Sequence, residues 1–114
     1  MLHKDSKVWK ESMLLAAQIY EFVKKLPDSE RYGLISQMHR AAVSVPSNIA
    51  EGAGRGSKKE YVRFLRFSLS SLNEIETQYY LCLMVTNVDK DLELEKKMDY
   101  LGRLLSNTIK ALNK

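Results

Sequence analysis

Val8, Ser12, Leu15, Ile19, Phe22 and Leu26 recur at steps of three and four, and no segment of the chain shows the apolar/polar alternation of a strand. Residues at that step lie on one side of an α-helix, so the pattern restricts the chain to helices that must bury one face. Trp9, Ala16 and Val23 widen the first stripe. Pro27-Asp28 ends it, since proline lacks a backbone donor and disfavours a helical residue before it.

The second stripe is Leu34, Ile35, Met38, Ala42, Val45, Ile49 and Ala53. Its phase holds straight across Pro46, which a loop at that point would have no reason to preserve. The spacing therefore predicts one helix kinked at Pro46, the gap in its hydrogen-bond ladder eased by the Ser44 or Ser47 hydroxyl. The alternative is a fresh helix capped by Ser47 or Asn48. Gly52, Gly54 and Gly56 stop this segment, as glycines of positive φ do at helix ends. Ser57-Lys58-Lys59-Glu60 then reads as a capping box, serine accepting from the first turn and glutamate reaching back.

The third stripe, Tyr61, Phe64, Leu65, Ser68, Leu72, Ile75, Tyr79 and Cys82, belongs to the longest helix, ending near Thr86. Asn87 to Asp91 is a polar turn, and Leu94, Met98, Leu101, Leu105, Thr108 and Leu112 mark the last helix. Four amphipathic helices on short turns give an all-α, antiparallel up-down-up-down four-helix bundle as a single domain over residues 1–114. At 114 residues the chain is long enough for one compact domain and too short for two.

The third helix also carries Phe67, Leu69, Leu81, Leu83 and Met84, so its second half is apolar nearly all round. A helix at the edge of a small bundle should keep a polar outer face. Phe67, Leu69, Leu81 and Leu83 are therefore expected at an interface with another subunit; the alternative is a generous core with a few solvent-touching leucines.

No catalytic constellation emerges. A phosphate-binding P-loop needs Gly-Lys followed by Ser or Thr, but Lys58 follows Ser57; the dinucleotide fingerprint needs a G-x-G-x-x-G after a strand, but Gly52, Gly54 and Gly56 are spaced G-x-G-x-G after a helix. Di-iron bundles need Glu-x-x-His pairs, and neither His3 nor His39 has a carboxylate at that spacing, so no metal or other cofactor is expected. Ser68, Ser70 and Ser71 have no histidine at a spacing that suggests a dyad. Cys82 is alone, which rules out an intramolecular disulfide, and sits in an apolar run where a thiol acts as a small hydrophobe. That run is far shorter than the roughly 20 residues of a membrane span. The N-terminal segment lacks the apolar stretch of a signal peptide, so a cytoplasmic location is expected.

Charge supplies the remaining signal. The net charge is +4, and Arg55, Lys58, Lys59, Arg63 and Arg66 crowd the start of the third helix, opposed locally only by Glu60. Lys59, Arg63 and Arg66 share a helical face, and a helix start adds backbone donors, so this patch is the candidate phosphate contact for RNA or DNA, tolerant of base sequence. The alternative is an ordinary solvated face, or one that docks an acidic protein, making the chain an adaptor. Gln37, Arg40, Asn48, Glu51 and Glu76 are expected to form a polar network between helices; a hydrolytic site built from Arg40, Glu51 and Glu76 is the weaker reading of the same residues.

The run Arg40-Ala41-Ala42-Val43-Ser44-Val45-Pro46-Ser47-Asn48-Ile49-Ala50-Glu51-Gly52 resembles the signature of the four-helix-bundle family that includes proteins encoded in intervening sequences of bacterial 23S ribosomal RNA genes. Tyr32-Gly33-Leu34, Gln37, Gly54-Arg55, Lys59-Glu60-Tyr61, Arg63-Phe64-Leu65 and Leu72 through Gln78 extend the resemblance over most of the chain. It implies a homopentameric ring without enzymatic activity. It also implies kinship with accessory proteins of diversity-generating retroelements, basic bundles that bind a reverse transcriptase and nucleic acid. His39 stands where that family commonly has a second arginine, and Ser70 where it commonly has glycine.

Overall fold

The computed structural model describes residues 2–114, and everything below concerns those residues. Four helices form: α1 (Lys7–Val23), α2 (Ser36–Ala53), α3 (Lys58–Val85) and α4 (Leu92–Leu112). Each begins where the sequence offers local reason. Ser6 Oγ accepts from Trp9 N at 3.3 Å, Ser57 Oγ from Glu60 N at 3.1 Å, and Asp91 Oδ1 from Leu94 N at 3.0 Å. Only the serine arm of the expected capping box forms, because the Glu60 carboxylate turns forward to Arg63.

The helices pack in sequence order, and α4 closes back on α1. Along α2 and α3, Met38 meets Cys82 and Ser44 meets Ser71, while Val45 O accepts from Ser68 Oγ. Between α3 and α4, Tyr79 meets Glu95, and Leu72 lies opposite Gly102. Tyr20 stacks on His39 across α1 and α2, and Lys97 pairs with Glu11 across α4 and α1. The bundle measures 44 × 23 × 19 Å, close to the roughly 42 Å that a 28-residue helix such as α3 spans at 1.5 Å per residue.

The expected stripes line the core. Leu15, Ile19, Phe22, Met38, Ile49, Leu65, Leu72, Ile75, Tyr79, Leu94 and Leu101 are fully buried. The sequence reading omitted Ile109, which extends the α4 stripe and is also buried. α2 runs unbroken through Pro46, whose ring is itself buried. Neither serine mends the ladder there: Ser44 Oγ pairs with Ser71 Oγ at 2.8 Å and accepts from Asn48 Nδ2 at 2.9 Å. The non-helical backbone comes earlier, at Gly33 in the wide turn Arg31–Ile35 that leads into α2, where Glu30 Oε1 accepts from Leu34 N at 3.2 Å.

The glycines between α2 and α3 divide their work. Gly52 is still helical and buried, pressed so closely on α3 that a Cβ there would lie 2.6 Å from Phe64 Cβ. Gly54 caps α2 with right-handed dihedrals, and only Gly56, at φ 82°, uses the left-handed region to turn the chain into α3.

Candidate nucleic-acid interface

The cations singled out in the sequence converge at one end of the molecule. Gly54 and Gly56 bring Arg55 beside the first two turns of α3, where Lys58, Lys59, Arg63 and Arg66 are all exposed. Arg55 Nε reaches Glu51 Oε2 at 3.1 Å, and Arg63 Nη1 reaches Glu60 Oε1 at 3.4 Å. Glu51 thus joins Glu60 in opposing the patch, because one turn of helix separates it from Arg55. Lys58, Lys59 and Arg66 have no carboxylate within ion-pair distance among the described residues. The patch therefore retains net positive charge, and its two ion pairs are exposed ones of the kind worth at most about 1 kcal/mol. An incoming phosphate could displace either carboxylate at little expense.

Aromatic rings support the arginines. Arg55 Cζ stands 4.8 Å from the Phe64 ring centroid, and Arg63 Cζ lies 5.6 Å from Phe64 and 5.3 Å from Phe67. The two rings meet edge to face at 5.3 Å. Phe64 is buried and anchors the group, while Phe67 is 42% exposed. Stacked guanidinium planes keep their N–H edges free for anions. Sequence reasoning assigned Phe64 to the core and Phe67 to a subunit interface and missed this arrangement. The available signal was the spacing of Arg63 and Phe67, one helical turn apart.

The other residues expected at an interface separate into two groups. Leu69 and Leu83 are half-buried and pack on the protein's own core. Leu81, at 43%, is exposed near the far end of α3, where Met84 is 81% and Val85 58% exposed.

The proposed polar network does not assemble. Asn48 donates to Ser44 O and Oγ, and Glu51 is committed to Arg55. Gln37 and Arg40 line an open cleft of about 320 Å³ between α2 and α3 with Ser44, Glu74 and Gln78. Glu76 faces the other way, into the α3–α4 groove beside Asp99, where burial and then the Asp99 carboxylate raise its pKa. Helical geometry is the reason: two residues on from Glu74 the chain has turned by about 200°. Arg40, Glu51 and Glu76 thus share no site, which removes the basis for the hydrolytic reading. His39 is half-buried and stacks on Tyr20, with ring centroids 4.1 Å apart.

No group of three or more metal-ligating side chains occurs among the described residues, and none of their helices is long and apolar enough to cross a membrane. The family model for the 23S rRNA-intervening sequence protein matches residues 4–107. Among solved structures, a protein of unknown function from the S23 ribosomal protein family of Bacteroides thetaiotaomicron superposes with a TM-score of 0.79 at 21% identity, covering 90% of this chain and 98% of that one. No curated protein matches the sequence.

Proposed function

Since the chain belongs to the 23S rRNA-intervening sequence protein family, we propose that it is a non-enzymatic, self-associating helical bundle that holds RNA or DNA phosphates on the basic start of α3. The observation that carries this reading is the set of exposed, unpaired cations Lys58, Lys59 and Arg66 flanking two arginines seated on aromatic rings. Contacts of this kind are sequence-tolerant and release counterions. The logarithm of affinity for single-stranded RNA should then fall with the logarithm of salt at a slope of about −0.7 per phosphate engaged. Reversing Lys58, Lys59 and Arg66 to glutamate should flatten that slope and abolish binding. Undetectable binding of both RNA and DNA at low salt would overturn the proposal.

A second reading rests on the opposite end of the bundle. Tyr32 is 90% exposed and Leu92 64%, in addition to Leu81, Met84 and Val85 on α3. Apolar exposure of this extent suits a protein surface, so self-assembly, as a homopentamer or otherwise, and docking to a nucleic-acid enzyme such as a reverse transcriptase are both assigned to this end. Light scattering tests the assembly: a mass of 13.1 kDa at every concentration would leave that surface without a second copy to cover it.

A further inference from the structure

We propose that the nucleic acid held on this face is single-stranded, with one unpaired base stacked on Phe67 while its flanking phosphates meet Arg63, Arg66 and Lys59. The inference rests on the phosphate-binding reading above and adds what kind of strand is bound. Phe67 differs from the other exposed apolar residues of α3 in its surroundings. Arg66 adjoins it, Arg63 stands one turn back with its guanidinium 5.3 Å from the ring centroid, and Phe64 makes an edge-to-face contact with it. The ring is thus pre-oriented rather than free to collapse onto the core, and it remains 42% exposed.

An apolar protein surface laid on Phe67 would have to bury Arg66 beside it without counter-charge, together with the exposed Arg63–Glu60 pair. A nucleotide satisfies both features, because its base supplies a flat π-face for the ring and its phosphates supply anions for the arginines. A duplex cannot do so, since its base faces are already stacked within the helix. The cations repeat at about one helical turn, roughly 5.4 Å, along the exposed side of α3, so they track a strand lying along the helix. Phe67 therefore belongs with the basic end of α3, whereas Leu81, Met84 and Val85 make up the apolar end.

The test compares the full chain with Phe67→Leu and Phe67→Trp, using labelled single-stranded RNA, single-stranded DNA and a duplex of equal phosphate count at one low salt concentration. Leucine keeps the apolar volume and removes the π-face; tryptophan enlarges that face. Phe67→Leu should weaken binding of either single strand between about fivefold and a hundredfold, leave the duplex within about twofold, and be rescued by Phe67→Trp. Equal weakening of single strand and duplex, or of neither, would overturn the stacking while leaving the phosphate reading in place. Absence of binding to every probe by the unaltered chain would refute the phosphate reading itself. A change in assembly mass in Phe67→Leu, measured by light scattering, would make Phe67 a subunit contact and also overturn the inference.

Discussion

Gly52→Ala should destabilise the bundle even though alanine is the better helix former. Inside α2 the exchange by itself gains about 0.5–1 kcal/mol, from the smaller backbone entropy lost on folding. Here, however, the new Cβ would lie 2.6 Å from Phe64 Cβ, 3.2 Å from Tyr61 Cδ1 and 3.3 Å from the Tyr61 carbonyl oxygen. The first distance is impossible without movement, and the atoms in the way belong to the rigid first turns of α3 and not to the end of a flexible side chain. Overpacking of this kind typically costs about 1–3 kcal/mol, so the net loss should be about 1–2 kcal/mol. For a domain of this length that lowers the melting temperature by roughly 4–8 °C. Gly102→Ala is the matched control, because its Cβ would meet only Leu72 Cδ2 at an ordinary 3.6 Å, inside α4. It should raise the melting temperature by about 2–4 °C. Helical circular dichroism followed against temperature at one protein concentration reads both variants. If Gly52→Ala melts at or above the parent temperature, the close approach of α2 to α3 yields easily, and the rigid seating of Phe64 beneath Arg55 and Arg63 fails with it.

Further outcomes follow from two buried groups. Tyr79 Oη donates to Glu95 Oε2 at 2.6 Å and accepts from Asp91 N at 2.9 Å, so Tyr79→Phe strands a partly buried amide and should cost about 1–3 kcal/mol in urea unfolding. Burial, and then the hydrogen bond to Glu95, push the Tyr79 phenol up to about 12; its stabilising contribution is complete below the unfolded value near 10 and is lost as pH rises through about 12. An ultraviolet titration should therefore show a late-ionising tyrosine that Tyr79→Phe removes. Cys82 is fully buried against Met38 with its thiol pushed up to about 11 by burial, so a thiol reagent at neutral pH should label the native protein only as fast as it opens, and promptly in denaturant; prompt labelling of the native state would contradict its burial.

The core was legible because period and burial share one cause. Every helix must turn the same face inward, and Val8, Ser12, Leu15, Ile19 and Phe22 announce that face without reference to anything distant in the sequence. The interior serines show where the reading had to stop. Ser68 and Ser71 could be recognised as small, but that Ser68 donates to Val45 O and Ser71 meets Ser44 depends on the register of α2 against α3, which no local pattern encodes. The same applies to Gly52, whose place among three neighbouring glycines suggested a turn while its role is set by Phe64 across the interface. At the candidate site the positions of the cations were readable, since Lys59, Arg63 and Arg66 lie on one helix. Their ion pairing was not, because Glu60 had two uses available, the capping box or Arg63, and chose the second. The expected network of Gln37, Arg40, Asn48, Glu51 and Glu76 shows the opposite error, in which polarity was taken for proximity.

The exposed side of α3 changes chemistry along its length, from Lys59, Arg63 and Arg66, through Ser70 and Thr77, to Leu81 and Met84. That polarity limits the symmetry available to the molecule. Two copies joined through α3 about a two-fold axis across the helix would lay Lys59 against Met84, stripping water from a cation with no anion supplied in exchange. About an axis along the helix, basic end would meet basic end. Both isologous arrangements are penalised, so a two-fold pair joined along the whole of α3 is the assembly its sequence opposes.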